Sequence, residues 1–308
     1  MSETALELKA LEKSYGRFKA VDRLSFSVKR GEIFSLLGPN GAGKTTAINL
    51  IAGILEPDHG SIEMNGSPVR GSRSWSSRIG VCHQEKQLWP LLTCEEQLYF
   101  AGDMYRMDRK RLKQRAALLL EQVGLAEKRK VLAKNLSGGM QRRLHMILSV
   151  IHHPELIILD EPEAGLDPQS RVLVREFIKT LSETGTVLLT THNMDEAERL
   201  SSRVAVMDKG QVLVCGTPAA LQQMIAPEET LDIYYPEQIQ QTALLNSPGY
   251  AVQFTDRSIS ITGSHLAGAV PRILDQLNSL YGNPLTFTLR QSTLEDVFIK
   301  LTGRSLRE

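Results

Sequence analysis

The sequence predicts an α/β fold. A parallel sheet covered by helices on both faces is preceded by antiparallel strands, interrupted by a helical insertion and followed by a small α+β domain. Three observations carry this expectation. Leu156–Leu159 and Val187–Thr191 are short, uninterrupted apolar runs bounded by charged or turn residues, the pattern of parallel strands buried on both faces. Glu32–Leu37 is a third apolar strand, and it runs through a glycine-rich stretch into the helical segment Lys44–Ile54. Beyond residue 230 the order becomes strand, helix, two strands, helix, strand, helix, a second domain with its own core.

Residues 1–35 alternate apolar and polar positions (Leu6, Leu8; then Leu24, Phe26, Val28), and Ile62, Met64 and Val69 flank an Asn65-Gly66 turn, so short antiparallel strands are expected there. From Thr93 to Val123 the texture is helical, opening on Thr93-Cys94-Glu95-Glu96 with the spacing of a capping box. The spacing also predicts a helix over Gln141–Ile151. Val204–Met207 and Val212–Cys215, joined by Asp208-Lys209-Gly210, form a closing hairpin. These elements assign residues 1–224 to the main domain, with its helical part at about 85–152, residues 225–230 to a linker and 231–308 to a small C-terminal accessory domain. In that last domain strands are expected at Leu231–Tyr235, Ala251–Phe254, Ser258–Thr262 and Leu285–Leu289, with helices at Pro236–Asn246, Ala267–Leu280 and Thr293–Leu301. The order βαββαβ, with one helix appended, is ferredoxin-like.

Bulk properties narrow the function by exclusion. With 36 basic and 35 acidic residues among 308, the chain has no charge signature for nucleic acid, and no nucleic-acid partner is expected. Cys82, Cys94 and Cys215 are odd in number and widely spaced, which suits free packing thiols in a reducing cytosol. Met1–Leu11 lacks the basic start and continuous apolar stretch of an export signal. No window approaches the roughly 18 apolar residues of a membrane-spanning helix. Work at a membrane would therefore need another chain to cross it.

Gly38-Pro39-Asn40-Gly41-Ala42-Gly43-Lys44-Thr45 fits the pattern G-x-x-x-x-G-K-[ST], placed between a strand and a helix. Glycines let backbone N–H groups wrap phosphate oxygens, and the helix N-terminus adds partial positive charge. Lys44 supplies a point charge to the terminal phosphate, and the hydroxyl of Thr45, followed by Thr46, can hold Mg²⁺. Leu156-Ile157-Ile158-Leu159-Asp160-Glu161 sets Asp160 at the C-terminal edge of a buried strand, fitting a role on Mg²⁺. Glu161, one residue further, is placed to polarise a water in line with the γ-phosphate. His192 closes the strand Val187–Thr191 at the same edge, where an imidazole can bond the γ-phosphate. His152 and His153 precede Pro154 at a helix end and read as structural cations complementing the dipole.

Asn135-Leu136-Ser137-Gly138-Gly139-Met140, upstream of Asp160, resembles the signature motif of ATP-binding cassette ATPases. The resemblance spans about residues 5–220 and implies a phosphate-loop NTPase core with bound ATP and Mg²⁺. It further implies Tyr15 as the aromatic stacked on adenine, Gln84 as the Q-loop glutamine and a metal ligand beside Thr45 and Asp160, Gly165-Leu166-Asp167 as the D-loop and His192 as the switch histidine. Leu136–Met140 would cap the γ-phosphate held by a second copy or close paralogue, giving a head-to-tail dimer with two sandwiched ATP molecules. The chain departs from the family at Met140, where glutamine is commonest, and at Glu163, where threonine or serine is usual.

Ser292–Gly303 is similar to the tail of ATPases from drug, lipid and polysaccharide exporters of the daunorubicin-resistance type, whose permease is a separate multi-span chain. This implies a cytoplasmic, peripheral position on the inner face of the cell membrane. Trp89 and Leu91 would line a socket for the permease. The basic run Arg106, Arg109, Lys110, Arg111, Lys113 and Arg115 reads as a solvated helix face, with headgroup or permease contact as its alternative. Two competing classes are a soluble cassette ATPase that remodels ribosomes or nucleic acid, and a nucleotide-dependent regulatory module without turnover. The first usually has two cassettes or a coiled-coil insert, absent here. The second is disfavoured by the presence of both Glu161 and His192.

Overall fold

The structure is a computed structural model and describes residues 3–69, 75, 77–225, 229–239 and 250–303. The chain divides into two compact units, Met1–Pro218 and Ala219–Glu308.

In the first unit, β1 (Thr4–Tyr15) and β2 (Phe18–Lys29) are antiparallel partners of twelve residues each, longer than the short strands expected. They form a sheet with β4 (His59–Met64) and β5 (Ser67–Pro68) in the order β2-β1-β4-β5, the last two joined at Asn65-Gly66, both at positive φ. The second sheet contains β3 (Ile33–Leu37), β6 (Ile79–Cys82), β7 (Leu156–Asp160), β8 (Thr186–Thr191), β9 (Arg203–Asp208) and β10 (Gln211–Gly216), in the order β10-β9-β3-β8-β7-β6. All neighbours are parallel except β9 and β10, whose turn through Lys209 and Gly210 has both residues at positive φ.

The apolar runs of the central strands do divide between two faces. Ile157, Leu159, Val187 and Leu189 belong to one core cluster, while Ile158, Leu156, Leu188, Phe34 and Leu36 belong to another. Period-two side-chain alternation thus feeds two cores from one strand, which is why Leu156–Leu159 and Val187–Leu189 are apolar throughout.

Helix α1 (Lys44–Ile51) follows β3 and stops three residues earlier than expected, because Ala52 caps it and Gly53 turns at φ +71. The helical insertion is two helices, α2 (Cys94–Met104) and α3 (Arg109–Gln122), separated where Arg106 adopts positive φ and Asp108 caps the second. Both halves of the Thr93/Glu96 capping box are present. Helix α4 (Gly138–Ser149) begins earlier than expected, at the glycines of the signature, because the Ser137 hydroxyl caps it. Helices α5 (Pro168–Thr184) and α6 (Met194–Leu200) complete the unit. No helix among the described residues is long and apolar enough to cross a membrane.

Two expectations for this unit are corrected. Arg115 is not on the solvated face: it is partly buried, its guanidinium reaches Val150 O at 3.5 Å, and burial lowers its pKa. His152 and His153 keep a structural place, but desolvation lowers the pKa of both and so opposes the charge that dipole capping would need. The His152 ring stacks on Tyr105 at 3.7 Å.

The second unit begins with α7 (Pro218–Ile225), which starts at the last residue of the first unit. It is built on a four-stranded antiparallel sheet of β11 (Glu229–Tyr234), β12 (Tyr250–Phe254), β13 (Ser258–Gly263) and β14 (Thr286–Gln291), in the order β12-β13-β11-β14. Helix α8 (Leu266–Tyr281) packs Leu266, Ile273 and Leu277 onto Leu231, Ile233, Ile259 and Ile261, and α9 (Leu294–Thr302) follows β14. Of the expected linker 225–230, Ile225 ends α7 and Glu229 and Thr230 are already in β11, while 226–228 lie outside the described residues. The helix expected from Pro236 is absent over 236–239, and its remainder lies outside the described residues.

Candidate active site

Parallel pairing decides what meets at the site. β3, β8 and β7 are adjacent, with Leu37 opposite Thr191 and Asp160 opposite Thr190, and β6 lies beside β7 with Cys82 opposite Leu159. The residues just past these strands, Gly38, His192, Glu161 and Gln84, therefore emerge along one sheet edge.

The phosphate loop is clamped by backbone on both sides. A Cβ on Gly38 would stand 2.2 Å from Met207 O, and one on Gly43 2.2 Å from Ala20 O. Gly41 and Gly43 lie at φ +80 and +100, where a side chain is strained. Ala42 N–H donates to Pro39 O at 3.2 Å, closing the turn that Asn40 sits in. Lys44 and Thr45 open α1, with Thr46 following. The Lys44 ammonium is buried and donates to Gly38 O (2.7 Å) and Pro39 O (3.0 Å). Burial lowers its pKa, while Glu161 and Asp160 act in the opposite direction.

Asp160 and Glu161 are both buried, yet they face different partners. Asp160 accepts from Thr190 Oγ1 and, at 3.5 Å, from Thr45 Oγ1. Glu161 adopts φ +47, which swings its carboxylate away from that of Asp160. Its Oε2 accepts from Gln84 Nε2 at 3.1 Å, its Oε1 lies 2.9 Å from His192 Nδ1, and Lys44 Nζ is 4.0 Å away. A carboxylate only accepts, so the proton shared with Glu161 is on Nδ1 of His192.

Thr45 and Asp160 bring two hard oxygen donors together, the chemistry a Mg²⁺ ion asks for, and an ion held by so few protein oxygens takes the others from phosphate and water. No cluster of three His, Cys, Asp or Glu side chains suited to a metal occurs among the described residues. The Gln84 amide is engaged with Glu161, and no hydrogen bond joins it to Thr45 or Asp160.

The remaining sequence candidates sit apart from this cluster. Tyr15 ends β1 half exposed, paired with Phe18 across the hairpin. Leu136 is buried, and Ser137 caps α4 by accepting from Met140 N–H at 3.3 Å. Ser137 and Gly138 are exposed, and Lys86 reaches Gly138 O at 3.4 Å. A Cβ on Gly139 would meet Ser170 Oγ at 2.4 Å, so the start of α4 presses on the start of α5. Gly165 turns at φ +68, Leu166 is buried, and Asp167 caps α5 by accepting from Ser170 N–H at 2.9 Å, a bond that lowers its pKa. No hydrogen bond among the described residues joins Ser137–Met140 to the phosphate loop. Met140 is partly buried against the core, and Glu163 forms a bidentate pair with Arg175 at 2.5 and 2.6 Å.

Sequence reasoning missed Thr190, which bonds both Asp160 and the Glu161 N–H, and Arg142, which reaches the backbone of both loops. Thr190 could have been found from the polar residue at the end of an otherwise apolar strand. Arg142, inside Gln141-Arg142-Arg143, carries no such mark.

Residues 21–164 match the sequence profile of the family described as ABC transporter. The chain is 36% identical over 312 residues to the linearmycin resistance ATP-binding protein of Bacillus subtilis, covering 98% of this chain and 100% of that one. This chain belongs to the ABC transporter family. It is an ATP-binding subunit of that family, an ATPase. A Nod factor export ATP-binding protein of Paraburkholderia xenovorans is 38% identical over 316 residues, covering both chains fully. Among solved structures, an ATP-binding subunit of an ABC transporter superposes with a TM-score of 0.66 at 30% identity, covering 71% of this chain and 92% of its own. An ABC transporter cassette in its ADP conformation gives 0.64 at 25% identity, covering 70% and 92%.

Proposed function

We propose that this ABC ATPase drives an exporter from the inner face of the cell membrane, with two cassettes closing head to tail on two ATP molecules beneath a separate multi-span permease. The observation that carries this is Glu161, buried between Gln84, His192 and Lys44 at the mouth of the phosphate loop, while the signature residues Ser137 and Gly138 are exposed elsewhere. One chain thus presents a phosphate site and, separately, an anion-binding helix start that a second phosphate site can receive.

In this reading the loop N–H groups from Gly38 to Thr46 and the Lys44 ammonium hold the β- and γ-phosphates, and Tyr15 supports the adenine. Mg²⁺ would be held by Thr45 and Asp160, with Gln84 as a further ligand once its amide leaves Glu161, and would neutralise phosphate charge. Glu161 accepts a proton from the attacking water, and His192 contacts the γ-phosphate, which requires a proton on Nε2 as well as on Nδ1. Asp167 and its loop line the junction between the two copies. Export is supported by the relatives, which match over the whole chain and whose names speak of resistance and export. Permease contact is supported by Trp89 and Phe100, packed edge to face at 4.9 Å yet half exposed, with Leu91 and Met104 exposed on the same insertion.

Glu161→Gln tests the assignment. The variant should bind ATP, hydrolyse it at least ~100-fold more slowly and elute with ATP at twice the monomer mass. Wild-type turnover would remove Glu161 from the mechanism. A persistent monomer with ATP bound would remove the dimer.

A further inference from the structure

Arg142 lies in the first turns of α4, the helix that starts at the signature glycines, and its side chain is only 3% exposed. Its Nε donates to Pro162 O at 3.3 Å, Nη1 to His83 O at 2.5 Å and Gln84 O at 3.1 Å, and Nη2 to Asp160 O at 2.5 Å and Glu161 O at 3.0 Å. A guanidinium has five N–H donors in a rigid planar fork, and here five backbone carbonyls from two loops match them. One loop follows β6 and carries Gln84. The other follows β7 and carries Glu161.

The effect on Glu161 is specific. This residue is held at φ +47, a conformation that bulky residues keep only when the surroundings impose it. Its N–H is taken by Thr190 O and Oγ1 at 3.1 and 3.2 Å, and its C=O by Arg142. Both of its peptide groups are thus tied, which aims the carboxylate at Gln84 and His192. The adjacent Arg143 is different. It bonds Val123 O, just past the end of α3, and among the described residues no hydrogen bond joins it to the carbonyls of His83, Gln84, Asp160, Glu161 or Pro162.

We infer that Arg142 is a positioning residue for hydrolysis: it ties the backbone around Glu161 and Gln84 to the signature helix, so that movement of that helix reaches the carboxylate. The inference rests on the proposed role of Glu161. Lysine cannot substitute, because three donors on one nitrogen cannot span two loops.

The test uses full-length protein, with ATP affinity, KM and kcat per nucleotide-binding molecule measured for Arg142→Lys, Arg142→Met and the control Arg143→Lys. Arg142→Lys and Arg142→Met should each lower kcat roughly 10- to 100-fold, with ATP affinity within about threefold of wild type, because small misplacement of a catalytic group costs rate before it costs binding. Arg143→Lys should lower the unfolding midpoint while kcat stays within about twofold. In a Glu161→Gln background the Arg142 substitutions should have no further effect on the residual rate, as residues acting through one group are non-additive. The inference is overturned by an unchanged kcat in Arg142→Lys, by full additivity with Glu161→Gln, by an equal kcat loss in Arg143→Lys, or by lost folding with unchanged kcat per binding-competent molecule. Rapid turnover by Glu161→Gln itself would instead defeat the underlying assignment. A dead Glu161→Gln beside an active Arg142→Lys would defeat only the inference.

Discussion

Glu161 and Glu196 are both buried glutamates near the same strand end, and their partners separate their fates. Glu161 has two donors on its carboxylate and a cation at 4.0 Å. Glu196, 3% exposed, accepts from Thr191 Oγ1 on one oxygen and has no partner on the other. Burial raises its pKa to about 7, with Glu163 and Glu161 adding to the rise while the Thr191 bond and Arg175 oppose it. The folded state then binds a proton more tightly than the unfolded one between about pH 4.5 and pH 7, so stability falls as pH rises through that window. The shift corresponds to on the order of 3 kcal/mol. Glu196→Gln should therefore gain up to about that much over wild type at pH 8 and little at pH 5, measured by urea unfolding at each pH. An equal gain at both would show that the carboxyl does not titrate with folding.

At the level of elements, contact between backbones is tighter than side-chain chemistry suggests. A Cβ on Gly80 in β6 would stand 2.1 Å from Ser149 O, the last residue of α4. Gly80→Ala should thus cost about 1–3 kcal/mol in unfolding free energy. No loss would mean that α4 can withdraw from the strand without penalty. Such contacts also explain what the sequence left hidden. The phosphate loop, Asp160, Glu161 and His192 were legible because each follows an apolar run whose register brings it to one edge. Arg142 was not, since its partners are carbonyls in segments 18 to 59 residues away, and carbonyls have no sequence signature. The insertion read as one helical texture because the break at Arg106 rests on one positive φ at a non-glycine residue. The histidines before Pro154 read as cations because local sequence shows a helix end but not the Tyr105 ring that buries one of them.

For the molecule as a whole, the first unit combines a buried hydrolytic cluster with an exposed apolar insertion, and the two can be tested separately. Leu91, 69% exposed, is free to be replaced without disturbing a core. Leu91→Asp should leave the ATPase rate of the isolated chain within about twofold of wild type, as surface substitutions usually do. It should also remove the co-purifying multi-span protein from detergent extracts of membranes. Unaltered co-purification would place the permease contact elsewhere.

The two tryptophans give the chain an optical readout of both ends of this arrangement. Trp75 is buried, with its indole N–H on Ile51 O at 3.0 Å, at the far end of the helix whose start carries Lys44. Trp89 is 43% exposed on the insertion. Their fluorescence should therefore have a blue component insensitive to acrylamide and a red component that acrylamide quenches. If the proposed function holds, nucleotide arriving at α1 should perturb the first, and a permease covering the insertion should shield the second. Without any added label, light emitted by the native protein would then separate nucleotide binding from permease engagement.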